Sequence, residues 1–272
     1  MRRAREIFLS AAAPARGVYP RDDAIPGPAS VARWDRLVRD IAEEHGVFVS
    51  FANLVANEGG KSFADVTWSS KLGALSRRLS GWSVGFVDFD NDGWKDLYSA
   101  NGDVDDLTVN AKQRDTMFRN VDGKTLVDVS VEMGPDFGRM GYQRGSAFVD
   151  LNNDGFMDLV VTSLNEKPRI LMNNAVVKNH WIMFDLEGTK SNRDGIGAMI
   201  EVETGSGRKL YNHVTTSVGF MSSSDRRVHF GLATESKINY VEIRWPGGTV
   251  QRVEKPAVDQ ILKVKEAEPK TR

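Results

Sequence analysis

A ten-residue acidic segment occurs twice in this chain. Asp88-Phe89-Asp90-Asn91-Asp92-Gly93-Trp94-Lys95-Asp96-Leu97 returns 62 residues later as Asp150-Leu151-Asn152-Asn153-Asp154-Gly155-Phe156-Met157-Asp158-Leu159. Each copy carries oxygen side chains at positions 1, 3, 5 and 9 and glycine at position 6. The flanks recur as well. Gly85-Phe86-Val87 matches Ala147-Phe148-Val149, and Phe63-Ala64-Asp65-Val66-Thr67 matches Leu126-Val127-Asp128-Val129-Ser130. Asn57-Glu58-Gly59-Gly60-Lys61 is echoed by Asn120-Val121-Asp122-Gly123-Lys124. A period above fifty residues with one loop signature per unit implies an array of like units.

The alternation of oxygens suits a hard cation. A loop curling round Ca²⁺ can aim every second side chain inward and add the backbone carbonyl of position 7, here Trp94 or Phe156. Glycine at position 6 permits the sharp turn. The plain alternative is an acidic surface turn, because Asp, Asn and Gly are ordinary turn residues. Charge argues against it: each close carboxylate pair repels by roughly 4 kcal/mol at about 4 Å and an effective dielectric near 20. An EF-hand does not fit either. Its twelfth position requires a bidentate Glu, where this chain has Ser99 and Val161, and its loop joins two helices. The runs flanking these loops, Val84 to Val87 with Leu97-Tyr98 and Phe148-Val149 with Leu159 to Thr162, are β-branched and aromatic and read as strands. The expected ligands are therefore Asp88, Asp90, Asp92, Asp96 and the Trp94 carbonyl in site one. In site two they are Asp150, Asn152, Asp154, Asp158 and the Phe156 carbonyl. Site one has one more carboxylate and is expected to bind Ca²⁺ more tightly.

Net charge of −1 over 272 residues offers no electrostatic footprint for nucleic acid. No cysteine is present, which removes disulfides, thiolate metal sites and cysteine nucleophiles. No apolar run approaches the roughly 20 residues of a membrane helix.

Along the chain, residues 1–29 are rich in Arg, Ala and Pro and read as a linker or ragged N-terminus. Glu6 and the shortness of the apolar run Ile7 to Ala13 speak against an export signal. Residues 30–46 are expected to form a helix, with Ser30 as N-cap, Val31, Trp34, Leu37, Val38 and Ile41 on one face, and Gly46 at its end. Residues 47–175 hold the two repeats. Between the acidic loops, Asn101 to Arg119 reads as a polar segment and a candidate binding loop. Residues 176–266 read as a compact β module. Its candidate strands are Trp181 to Leu186, Ala198 to Glu203, Lys209 to Val214, Arg227 to Phe230, Tyr240 to Trp245 and Ile261 to Val264. Turns are signalled by Asp194-Gly195, Gly205-Ser206-Gly207 and Pro246-Gly247-Gly248. A charged tail, 267–272, follows.

The repeats resemble FG-GAP/VCBS calcium-binding propeller repeats. Asn179-His180-Trp181, Ser191-Asn192-Arg193-Asp194-Gly195-Ile196-Gly197-Ala198, Val228-His229-Phe230-Gly231-Leu232 and Trp245-Pro246-Gly247-Gly248 resemble the ASPIC/UnbV domain. Together they resemble the cartilage-acidic-protein-like family over residues 50 to 265. The resemblance implies propeller blades of four strands; with the helix and strand readings above, the expectation is an all-β chain: a partial β-propeller followed by a β-sandwich-like module, with one N-terminal helix. It further implies Ca²⁺ at two sites, an extracellular or periplasmic location, and a non-enzymatic adhesion or ligand-binding role toward a protein or carbohydrate. Closed propellers take about 4–8 blades, and two units are legible here. Further blades from a longer chain are the favoured completion; self-association, or cover by the helix and the C-terminal unit, are the alternatives.

Enzyme readings rest on less. Gly81-Trp82-Ser83-Val84-Gly85 fits the nucleophile-elbow pattern, which has meaning only on a strand–turn–helix. Ser83 leads into a strand, and the second copy lacks the pattern. An enzyme or accessory role in polysaccharide or secondary-metabolite processing stays as the alternative function. His45, His180, His213 and His229 lack metal-ligand spacing and are expected to be structural. Arg193 and Asp194 are expected to form an ion pair at their turn, with contact to a ligand as the alternative.

Overall fold

The computed structural model describes residues 7–8, 55–57, 63–76, 78–103 and 112–268. The helix expected over 30–46 lies outside the described residues, as does most of the N-terminal segment and the end of the tail. The described chain is all-β, with a single helical turn, α1 (Leu72–Ser76).

Each repeat unit is an antiparallel meander. In the first, β4 (Gly81–Val87), β5 (Asp96–Asn101), β6 (Thr116–Asn120) and β7 (Leu126–Asp128) lie in that order across one sheet. In the second, β8 (Gln143–Val149), β9 (Asp158–Ser163) and β10 (Arg169–Leu171) repeat the first three strands. The register repeats with the sequence. Val87 faces Asp96 and Phe86 faces Leu97, while Val149 faces Asp158 and Phe148 faces Leu159. Both first strands also carry a bulge toward their N-terminal ends. A third hairpin obeys the same rule. β2 (Val55–Asn57) pairs with β3 (Phe63–Asp65) as Asn57↔Phe63 and Val55↔Asp65, and 63 residues on β6 pairs with β7 as Asn120↔Leu126 and Phe118↔Asp128. β1 (Ile7–Phe8) adds to the edge of β2.

The expectation of one polar loop from Asn101 to Arg119 is corrected. Thr116–Asn120 is strand β6, and its Met117 and Phe118 are buried. The sequence there is short and interrupted by charge, yet its strand is central. Residues 104–111 lie outside the described part.

Apolar side chains explain how the units stack. Tyr98, Val87 and Met117 from the first sheet pack with Phe148, Leu159 and Val161 from the second, around Phe137. Tyr98 meets the rings of Phe137 and Phe148 edge-on at 6.0 and 5.8 Å. The other face of the first sheet buries Leu97, Phe118 and Leu126 against Leu72 of α1. Burial on both faces is why β5 shows no polar-out alternation. An ion pair also ties the units: Arg169 Nη2 lies 2.6 Å from the buried Asp115 Oδ2.

The C-terminal module is a two-sheet sandwich. β11 (His180–Glu187) is flanked by β14 (Val228–Ala233), antiparallel, and β17 (Gln260–Lys265), parallel. The facing sheet runs β13 (Lys209–His213), β12 (Met199–Thr204), β15 (Ile238–Arg244), β16 (Val250–Glu254). Ile182, Phe184, Phe230, Ile200, Val241 and Ile243 fill the space between. All six candidate strands are present to within a few residues. β16 was not legible: Val250-Gln251-Arg252-Val253-Glu254 is an edge strand of alternating exposed and half-buried residues. It is held by pairing with β15, by Val253 against the core and by the Gln251 amide, which bonds Trp245, Lys265 and Ala267.

Candidate metal centre

The two acidic segments are the connections β4–β5 and β8–β9, and each curls on its first aspartate. Asp88 Oδ1 accepts the Asp92 N–H at 3.0 Å and Oδ2 accepts the Gly93 N–H at 2.9 Å. Asp150 accepts from Asp154 and Gly155 at 3.2 and 2.9 Å. The curl requires left-handed backbone at two places. Asn91 and Asn153 adopt φ of 58° and 60°, and Gly93 and Gly155 adopt 83° and 87°. Asn tolerates that region and Gly favours it, which accounts for Asn-x-Gly in both copies.

The ninth position closes each loop. Asp96 Oδ2 accepts the Phe89 N–H at 3.2 Å, and Oδ1 accepts the Asn120 N–H at 2.8 Å. Asp158 does the same with Leu151 at 2.9 Å and Asn173 at 2.7 Å. Asn120 and Asn173 are a repeat that sequence reading missed. The Asn120 side chain donates to the Lys95 carbonyl and accepts from Gly123, and Asn173 donates to Met157 and accepts from Ala175. Aligning Phe118-Arg119-Asn120 with Leu171-Met172-Asn173 carries the signal, but at a spacing of 53 rather than 62, because the intervening loops differ in length.

In loop one the side chains converge. Asp88, Asp90 and Asp96 are all buried, and each offers an oxygen within 4.8 Å of the others. Burial pushes the Asp88 carboxyl well above its ordinary range, reinforced by the charges of Asp92 and Asp90. Burial pushes Asp96 up to about 9, with Asp88 and Asp90 adding to it against the Asn120 N–H. Asp92 is half-buried, raised by burial, and bonded to the Trp94 N–H at 2.8 Å. Two guanidinium groups attend the loop: Arg119 Nε lies 3.2 Å from Asp90 Oδ2, and the charge of Arg208 also acts on Asp92. With all four carboxyls ionised, as a bound divalent cation would have them, the site would carry more negative charge than its protein partners neutralise. These are hard oxygen donors without a sulfur or imidazole among them, the donor set of Ca²⁺ or Mg²⁺. Nearby, Asn91 Oδ1 is buried with no hydrogen-bond partner.

Loop two is looser. Asp150 and Asp158 are buried, and burial raises the Asp150 carboxyl, but Asn152 and Asp154 are exposed. Asn152 Nδ2 donates to Asp154 Oδ2 at 2.8 Å, turning these two side chains on each other at the surface. Trp94 and Phe156 occupy the seventh positions, half-buried, with the Trp94 ring 4.8 Å from the Arg208 guanidinium.

The C-terminal module presses on both loops; cover of the repeats by this unit stood among the expected alternatives, but its seat on the loops was not legible in the sequence. Gly231 of β14 lies so close to loop one that a Cβ there would stand 2.1 Å from Asp88 Oδ2 and 2.6 Å from Asn91 Cα. The Ala233 N–H donates to the Asn91 carbonyl at 2.7 Å, Arg208 Nη2 to the Gly93 carbonyl at 2.7 Å, and Asn179 Nδ2 to the Asp90 carbonyl at 2.8 Å. On loop two, Arg227 donates to the Asp150 carbonyl and to Asn153 Oδ1 at 2.8 and 2.6 Å. His229 Nε2 lies 3.1 Å from the Gly155 carbonyl, so that nitrogen carries the proton; burial holds its pKa down at about 4 and the ring neutral. The same carbonyl accepts Asn91 Nδ2 at 3.1 Å, joining the loops directly.

Ser83 stands in the middle of β4, not on a strand–turn–helix. Its hydroxyl is fully buried, accepts the N–H of Ser146 at 3.1 Å and of Phe220 at 3.0 Å, and lies 2.7 Å from Ser146 Oγ. These contacts staple the two units to the β13–β14 connection. His180 pairs with Asp259 at 2.7 Å. The expected Arg193–Asp194 pair is corrected: Asp194 pairs with Arg226 at 3.1 Å, because Arg226 comes across from the start of β14 and also reaches Asp185.

Among the described residues no helix is long and apolar enough to cross a membrane. A search of the curated proteins finds no match to the chain. The family model described as ASPIC and UnbV matches residues 188–271, so the C-terminal module carries an ASPIC and UnbV domain.

Proposed function

We propose that this chain is a calcium-binding repeat module without catalytic function, whose two acidic loops each take one Ca²⁺. The observation that carries this reading is the buried trio Asp88, Asp90 and Asp96, whose oxygens approach within 4.8 Å of one another with the Arg119 guanidinium against them. A divalent cation bound there relieves the repulsion and accepts the inward oxygens. In loop one Asp88, Asp90 and Asp96 would hold the ion, with Asp92 and the Trp94 carbonyl completing its shell. In loop two Asp150, Asn152, Asp154, Asp158 and the Phe156 carbonyl would do so more weakly. The repeated register of β4–β5 and β8–β9 supports reading the two units as FG-GAP/VCBS-type propeller blades. That kinship favours an extracellular or periplasmic setting and a protein or carbohydrate partner. The hydrolase alternative draws no support from Ser83, whose hydroxyl is consumed in packing.

Calorimetric titration with CaCl₂ tests the reading. Dissociation constants of about 10⁻⁴–10⁻³ M are expected if the sites behave like extracellular modules. Asp88→Asn or Asp96→Asn should abolish the tighter phase and leave only a weaker one. Absence of any heat, with a melting temperature indifferent to EDTA, overturns it.

A further inference from the structure

We infer that the C-terminal module is a clasp whose docking and the loading of the acidic loops are a single linked equilibrium, each strengthening the other. The inference rests on the cation reading above and adds the regulation of the same sites.

A loop of this kind has two surfaces. Its side-chain oxygens and the carbonyl of position 7 would face the ion, and the carbonyls of the other loop residues named below point out. The module holds the outward set. In loop one the carbonyls of Asp90, Asn91 and Gly93 are taken by Asn179, Ala233 and Arg208. In loop two those of Asp150 and Gly155 face Arg227 and His229. The outward carbonyls stand where they do only while the loop is curled, since the curl depends on Asp88 and Asp150 accepting the amides of positions 5 and 6. If the crowded acids of loop one spring apart, the carbonyls turn and these donors lose their partners. The loop is therefore one element that the ion biases from inside and the module from outside, which is the physical requirement for coupling. Gly231 makes the coupling steric. Its backbone lies flush against the Asp88 carboxylate, so the module fits only the curled form. The bond from Asn91 to the Gly155 carbonyl carries the constraint into loop two. By reciprocity, whatever the docked module adds to cation affinity, the cation adds to docking.

The test uses the full chain and CaCl₂. Arg208→Ala removes the donor to the Gly93 carbonyl together with a positive charge beside Asp92, so a loss of cation affinity would run against simple electrostatics. Gly231→Ala forces the module off loop one, and Lys263→Ala, at an exposed position of β17, is the control. Calorimetry should find Ca²⁺ affinity weakened by about fivefold or more in Arg208→Ala and further in Gly231→Ala, with Lys263→Ala unchanged. Small-angle scattering should find the wild-type radius of gyration larger in EDTA than in Ca²⁺. Wild-type affinity in Arg208→Ala and Gly231→Ala, or equal radii in EDTA and Ca²⁺ while the wild-type protein still gives its binding heat, overturns the clasp and leaves the cation reading standing. No binding heat in the wild-type protein overturns both.

Discussion

Single side chains decide whether each acidic loop can hold its shape. Asn120 illustrates this, because its amide spans two backbone groups, donating to the Lys95 carbonyl at 3.1 Å and accepting from Gly123 at 2.8 Å. Asn120→Ala leaves both without a partner, and a loss of about 1–3 kcal/mol is expected in urea denaturation. His229 is the second case. It is neutral in the folded chain, with a pKa of about 4 against 6.5 for the free side chain. The unfolded chain takes up a proton first, so the stability that the neutral ring contributes is full above pH 6.5 and is lost as pH falls toward 4. Denaturation of wild type and His229→Gln across that window should show the wild type losing up to about 1.4 kcal/mol per pH unit relative to the variant. The direction is the test, since the buried acids of loop one titrate identically in both proteins.

Among the elements, the turn before Ser191 and the end of β17 form the clearest independent lock. The Glu266 carboxylate accepts the N–H groups of Thr189, Lys190 and Ser191 at 2.9, 2.9 and 2.7 Å. Burial pushes its pKa up, but these donors outweigh it and hold the carboxyl at about 2, against 4.5 ordinarily. A depressed carboxylate contributes stability that is complete above pH 4.5 and disappears as pH falls through 2. Acid titration of the near-ultraviolet signal of Trp245, which packs in this module's core, should show Glu266→Gln less stable at pH 7 and converging on wild type as pH falls to about 2. In the repeat units the acidic loops themselves are secondary to the strands that carry them. β5 is buried on both faces and brings Asp96 to the site as its first residue.

At the scale of the molecule, the sandwich and the repeat units are one packed body, joined through the loops and through the β13–β14 connection, where Phe220 bonds Ser83 and Asp225 bonds the Phe148 carbonyl. Donors from Asn179, Arg208, Arg227 and Ala233 all end on loop backbone. Calorimetric melting should therefore give one transition in millimolar Ca²⁺ and two in EDTA, the module separating from the repeats once the loops lose their curl. A single EDTA transition at an unchanged temperature would mean that packing alone joins them.

What could be read from the chain by itself was local and periodic. The spacing of oxygens around Gly93 and Gly155, the 62-residue recurrence, and the strand runs on either side are short-range properties, because a curled loop and a two-residue alternation are dictated by neighbours. Six of the seven strands of the C-terminal module were legible for the same reason, and β16 was not, since its half-exposed residues carry little pattern and pairing with β15 makes it a strand. Tertiary structure alone decided the rest. Asn120 lies 24 residues from the carboxylate its amide caps, and Gly231 lies 143 residues from the aspartate it covers. No periodicity links such positions; Asn120 reaches Asp96 because β6 pairs with β5, and Gly231 reaches Asp88 because the sandwich buries one face of β11 in its own core and leaves the other, at Trp181, to seat on Gly155.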